Sequence, residues 1–187
     1  MNKVIFRHSV NFLIIMALQL LVFNNIFFMG YINPYIYLMF ILLLPLNKSN
    51  KNWLLLLAFA TGIIMDSFQN SMGIHAFSCV LIMYLKTPIL LNLIPQLKNK
   101  GQNYIEFSIH EFGIPTTIIY TCSLVFIHHF SIIFIEAFRF DILSLIVRTL
   151  ASSFFTSLLI ILFLLFNSKK SQKWKNMKID LTSLAVS

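Results

Sequence analysis

The stretch that decides the reading is G-I-I-M-D-S-F-Q-N-S-M-G-I-H-A, from Gly62 to Ala76. It lies between two apolar runs, Trp53–Met65 and Gly73–Leu85. Asp66 closes the first run, which holds no other charge. A carboxylate at the end of an apolar span is costly, so it faces the protein interior or the interface and takes a partner. Gly62 stands one helical turn before Asp66, on the same face, and lets a neighbouring helix come close. Ser67–Met72 reads as a short polar turn, and Gly73 lets the chain turn back as the next helix. The plainer alternative is a helical hairpin with Asp66 resting among lipid headgroups.

The rest of the chain suits such a hairpin. Of 187 residues, 58% are hydrophobic and 11% charged, and mean hydropathy is +0.83, which is the composition of a polytopic membrane protein. The length allows one domain. The 20 Phe residues fit lipid-facing and helix-packing surface. A net charge of +8 would suggest nucleic acid in a soluble chain, but its distribution marks topology, so membrane lipid and no nucleic acid is the expected partner. Cys79 and Cys122 fall inside apolar segments and read as small buried hydrophobes. Lys3 and Arg7 precede an apolar run in the manner of a signal peptide. No small-x-small cleavage pattern follows, so an uncleaved first span is expected.

An all-α domain over residues 1–168 is predicted, with six spans at about 10–28, 34–46, 53–66, 73–95, 114–135 and 142–166. Asn11 and Gln19 in the first span are eight apart and share a face, which should pack on protein; Asn24 and Asn25 lie near its far end. Gly30–Asn33 reads as a turn. Pro34 opens the second span, Tyr35 and Tyr37 act as interfacial anchors, and Pro45 stands near its end. After the polar loop Asn47–Asn52, Trp53 sits at the interface and starts the third span. Lys86 and Pro88 mark an exit from the fourth; beyond them the chain to Leu97 either lies along the surface or continues as a kinked helix. Lys98–Gly113 is the longest polar connection, with Lys98, Lys100, Glu106, His110 and Glu111. Residues 169–187, with Lys169, Lys170, Lys173, Lys175 and Lys178, read as a solvated, partly disordered cytoplasmic tail touching anionic lipid.

Six spans place both termini on one side. Of the 14 basic residues only Arg139 and Arg148 fall elsewhere, so the positive-inside rule makes that side the cytoplasm. Asp66, Glu136 and Asp141 then lie at or near the outer face.

Familiar catalytic spacings are absent: no H-E-x-x-H, G-x-S-x-G, phosphate-binding glycine loop or paired Cys motif occurs. No catalytic residue, cofactor or metal is expected. His128-His129 with Glu136 is a conceivable metal set, but adjacent helical side chains point about 100° apart, and interfacial hydrogen bonding fits them better. Ser144, Arg148, Ser152 and Thr156 recur every fourth residue in the sixth span, and Thr117, Thr121 and His128 lie close to one face of the fifth. Such stripes mark the protein-facing side of a bundle. Arg148 stands about six residues, roughly 9 Å, into its span and needs a carboxylate or the interface. Asp66 is the first candidate partner, with Glu136 and Asp141 as alternatives.

These residues give the chain a resemblance to the rod shape-determining MreD family over about residues 8–166. It is strongest in L-Q-L-L-V-F-N-N (Leu18–Asn25), I-N-P-Y-I-Y (Ile32–Tyr37), the stretch from G-I-I-M-D to G-I-H-A, and H-H-F through E-A-F (His128–Phe138). Gln19, Pro34, Gly62, Asp66, Gly73, His75 and Ala76 match the family pattern by position. All of these but Ala76, with Asn25, His128, Glu136 and Arg148, are the structural or partner-contact candidates. The resemblance implies a six-helix bundle similar to the substrate-binding subunits of energy-coupling-factor vitamin transporters. It also implies a non-enzymatic role in building the lateral cell wall at the bacterial inner membrane. MreC is the implied partner, with MreB, RodA and its penicillin-binding transpeptidase nearby.

Two other classes compete. A small-solute (vitamin-like) binding subunit of a transporter would use a pocket near the outer face. Against it, the first span has only Ala17 and lacks the paired small residues with which vitamin-transporter subunits dock. A membrane enzyme would need His128, His129, Glu136 or Asp66 as catalytic groups.

Overall fold

The computed structural model describes residues 2–25, 32–47, 51–99, 104–105, 109–136 and 142–184. The elements are α1 (Asn2–Leu21) with a 3-10 turn at Phe23–Asn25, α2 (Leu38–Leu43), β1 (Leu46–Asn47), α3 (Lys51–Gln69), α4 (Ile74–Leu93), α5 (Gln96–Asn99), β2 (Tyr104–Ile105), α6 (Ile109–Phe112), α7 (Ile114–Glu136) and α8 (Ile142–Leu184). Residues 26–28 of the expected first span, Gly30, Lys48, Lys100, Glu106, Arg139 and Asp141 lie outside the described residues.

Among the described residues four helical stretches are long and apolar enough to cross a membrane: Lys51–Gln69, Ile74–Leu93, Ile114–Glu136 and Ile142–Phe166. At 1.5 Å per residue each is about 28 Å or longer, against a hydrocarbon core of about 30 Å. Their outward faces are apolar. Phe126, Phe130 and Phe134 stack at i, i+4 spacing along α7, with ring centroids 6.2 and 5.6 Å apart, and all three are exposed. Rings in such a row meet lipid tails without a desolvation cost. The helices neighbour one another in the order α3, α4, α7, α8.

The predicted second span differs most from expectation. Only six residues of it are helical, about 9 Å of axis, and the chain around them is largely irregular. Ile32, Tyr35 and nearly every residue from Tyr37 to Leu44 are buried. Irregular backbone at membrane depth survives only where protein satisfies its polar groups. Three side chains do this here. Gln19 of α1 donates to Pro34 O and accepts from Tyr37 N–H. Thr156 Oγ1 of α8 accepts from Tyr35 N–H at 3.2 Å. Lys86 Nζ of α4 donates to Ile41 O at 2.8 Å and to Leu44 O. Tyr35 and Tyr37 are therefore core residues, 4% and 0% exposed, and not interfacial anchors.

Lys86 is a second correction. It marks no exit: α4 continues through Pro88 to Leu93, and the ammonium is 1% exposed. Its place at the C-terminal end of α2 satisfies carbonyls that have no helical donor. Within the polar connection after α4, β2 pairs antiparallel with β1, Leu46 opposite Ile105 and Asn47 opposite Tyr104. Finally, α8 runs on to Leu184 and absorbs the basic tail. No Gly or Pro follows Pro115, so nothing in the sequence stops the helix.

Candidate functional site

The hairpin of α3 and α4 closes on the stretch from Gly62 to Ala76. Its turn uses three left-handed residues, Asn70 (φ 54°), Met72 (φ 42°) and Gly73 (φ 91°). The third span thus ends at Gln69, three residues later than Asp66. Asp66 is buried and receives the first turn of α4: Oδ1 accepts from His75 N–H at 2.9 Å and from Ser71 Oγ at 2.6 Å, and Oδ2 accepts from Ala76 N–H at 2.9 Å. A carboxylate on free N–H groups at a helix start is charge-assisted and complements the dipole. The partner of Asp66 is therefore this helix terminus, and not Arg148. Gly62 makes the approach possible, because a Cβ there would meet Ala76 Cα, lie 2.5 Å from Ala76 N and 2.7 Å from His75 C.

Behind this cap lies a buried polar chain whose direction follows from backbone groups. Gln19 is oriented by Pro34 O (3.1 Å) and Tyr37 N–H (3.2 Å), which receive Nε2 and supply Oε1 respectively. Its Nε2 therefore donates to Asn24 Oδ1 at 2.9 Å. Gln69 Nε2 donates to the same oxygen at 3.3 Å, so Gln69 Oε1 accepts from His75 Nε2–H at 2.8 Å. The bare Nδ1 of a neutral His75 then accepts from Tyr37 O–H at 2.9 Å. The phenol oxygen in turn accepts from His128 Nε2–H at 2.8 Å and from the Cys79 thiol at 3.8 Å. His128 Nδ1 ends the chain, buried and without a hydrogen-bond partner. His129 points elsewhere: Nε2 meets Thr156 Oγ1 at 2.9 Å, and its ring stacks on Tyr35 at 4.9 Å.

At its other end this chain opens into a cleft of about 430 Å³ lined by Gln19, Leu20, Phe23, Asn24, Asn25, Asn33, Pro34, Tyr35, Phe68 and Gln69. Asn25, exposed, donates to Leu21 O at 2.9 Å and so caps the end of α1.

The structure thus brings Gln19, Pro34, Gly62, Asp66, His75 and His128 into one continuous cluster, with Gly73 as the turn residue beside it. It does not bring in Glu136 or Arg148. Both are exposed, at the end of α7 and early in α8, and Glu136 is the acidic group whose charge interacts with Arg148. Ser144 and Arg148 face outward, while Ser152 and Thr156 are buried, so the stripe on α8 is protein-facing only in its second half. Asn11 is exposed although Gln19 is buried, and Cys122 is exposed although Cys79 is buried. His128 and His129 are core residues, both 0% exposed, and not interfacial ones. Among the described residues no three His, Cys, Asp or Glu side chains converge as metal ligands.

The sequence reading missed Tyr37 as the hub, Lys86 as a cap and Gln69 as a link. Tyr37 and Lys86 share a signal, a polar group near Pro in an apolar run; Gln69, inside the polar turn, carries none. Comparison with family models, curated proteins and solved structures finds no match.

Proposed function

We propose that this protein is a non-enzymatic subunit of the bacterial cell-wall elongation complex, resident in the inner membrane, that acts through helix contacts with an MreC-like membrane partner. MreB, RodA and a penicillin-binding transpeptidase belong to the same assembly in this reading. The observation that carries it is a convergence. The stretches on which the resemblance to the MreD family rests lie far apart in sequence, yet they meet in one hydrogen-bonded core. Gln19 comes from the first, Pro34 and Tyr37 from the second, Asp66 and His75 from the third, and His128 from the fourth. Motif residues that hold a fold together are what a family of contact-making membrane subunits would share.

The six-pass count, with both termini cytoplasmic, belongs to the same proposal. Tyr37 meets His75 at the start of α4 and Leu44 meets Lys86 eleven residues later, about 16 Å along that helix. This run beside α4 supports reading residues 34–46 as a pass, mostly non-helical and sheathed by protein. With α1 it makes up six, in an arrangement similar to the substrate-binding subunits of energy-coupling-factor transporters. Depleting the protein from a rod-shaped bacterium that carries it should round the cells and delocalise lateral wall synthesis, as followed by fluorescent cell-wall labelling. Unchanged rods with normal labelling would speak against this reading.

One observation favours a second reading, a small-solute binding subunit of a transporter. It is the cleft beside Gln19 and Gln69, whose volume of about 430 Å³ lies in the range of small-molecule sites.

A further inference from the structure

The cleft has a lining of unusual uniformity. The polar residues that line it are Gln19, Asn24, Asn25, Asn33, Gln69 and Tyr35, and the others are Phe23, Phe68, Leu20 and Pro34. Among the described lining residues none carries a carboxylate, ammonium or guanidinium. A charged ligand placed there would lose hydration without gaining a counter-charge, which costs more than a few neutral hydrogen bonds return. The occupant that fits is uncharged.

The direction of the polar chain says more. Asn24 Oδ1 already accepts from both Gln19 Nε2 and Gln69 Nε2, so both its lone pairs are used. Gln69 Oε1 is held by His75. Gln19 Nε2 has given its two hydrogens to Pro34 O and Asn24 Oδ1. What Asn24 and Gln69 have left for a ligand are N–H donors, on Asn24 Nδ2 and on the second hydrogen of Gln69 Nε2. The anchor is the buried backbone at Pro34 and Tyr37, so these amides cannot flip without breaking bonds in the core. At Asn24 and Gln69 the cleft presents donors beside aromatic walls.

We propose that this cleft binds an uncharged ring compound that offers hydroxyl or carbonyl oxygens to Asn24 and Gln69 and an apolar face to Phe68 and Phe23, with a neutral amide-bearing sugar as the type. The proposal deepens the solute-binding reading and rests on it; it is independent of whether the protein also contacts a wall-synthesis partner. Ligand at Gln69 sits two hydrogen bonds from Tyr37, at the hub of the core.

The test uses the full chain in detergent and three hexose derivatives, read by saturation-transfer NMR: N-acetylglucosamine (neutral), glucosamine (cationic) and glucuronate (anionic). N-acetylglucosamine should bind at concentrations up to about 10 mM, as expected for a ligand held by a few neutral hydrogen bonds. The charged pair should bind at least about tenfold more weakly. Asn33→Asp lines the cleft with a carboxylate without touching the Gln19–Asn24–Gln69 bonds. It should weaken N-acetylglucosamine and reverse the order in favour of glucosamine. Equal or tighter binding of either charged sugar to the wild type would overturn the proposed class while leaving a solute site in place. Silence of all three sugars in a protein that retains its thermal transition would overturn the proposal outright. So would an Asn33→Asp variant that leaves the order unchanged.

Discussion

Replacing Gly62 by Ala should be among the more damaging single-methyl additions in this protein. Beta-carbon space at that position is already filled by backbone, with Ala76 N at 2.5 Å and His75 C at 2.7 Å. Ordinary contact begins at 3.4 Å, so α4 must retreat by about 0.9 Å. Asp66 sits on the same face one turn later, and its bonds to His75 N–H and Ala76 N–H, both 2.9 Å, would stretch to about 3.8 Å. That is beyond hydrogen-bond range. Each is a bond to a charged group, worth about 1.5–3 kcal/mol, so the pair loses about 3–6 kcal/mol. Higher helix propensity of Ala returns about 1 kcal/mol, for a net loss of about 2–5 kcal/mol. Unfolding in mixed micelles, followed by circular dichroism, measures this. Gly73→Ala is the comparison, because nothing lies within 4 Å of its added methyl and only the left-handed φ of 91° opposes it, at about 1–2 kcal/mol. Ala76→Gly should not rescue Gly62→Ala, since the colliding atoms are backbone. Wild-type stability of Gly62→Ala, or its rescue by Ala76→Gly, would refute the reasoning.

Other substitutions separate the roles of the polar groups. Asp66→Asn keeps one acceptor but turns an amide N–H toward the α4 terminus, and should cost about 2 kcal/mol, whereas Arg148→Ala, exposed, should stay within about 0.5 kcal/mol in the same denaturation series. Tyr37→Phe strands His75 Nδ1 and His128 Nε2 in the core and should cost about 2–4 kcal/mol, while the exposed Tyr84→Phe should leave the melting temperature unchanged. Lys86→Ala leaves the carbonyls of Ile41 and Leu44 without their donor; a loss of about 3 kcal/mol is expected, with faster amide exchange concentrated at α2.

Much of the bundle is legible because its helices are marked by long apolar runs with clear stops. The third, fourth and fifth spans fall within a few residues of α3, α4 and α7. Gly73 and the turn before it announce the hairpin. The second span is not legible in the same way, because an apolar run of 13 residues reads alike whether it is helical or sheathed and irregular. Its state is decided by Gln19, Thr156 and Lys86, which lie 15 to 121 residues away in sequence from the groups they satisfy. Lys86 misleads for a related reason. A lysine beside a proline resembles a membrane exit unless a helix C-terminus lies across from it. At the site, Asp66, Gly62 and Gln19 stand out as polar or small residues in apolar surroundings, and they are central. Tyr37 hides, because a tyrosine after a proline is equally at home at an interface. Arg148 and Asp66 share a side of the membrane in the sequence reading, but backbone N–H groups nearer to Asp66 take its charge first.

The measurement that bears most directly on the proposed role is a pull-down from detergent-solubilised membranes, with captured proteins identified by mass spectrometry. Wild type should bring down an MreC-like protein with other wall-elongation components, and Gly62→Leu should release them by spoiling the α3–α4 approach. Capture of transporter ATPases in their place, or of no membrane partner by a folded bait, would contradict the account.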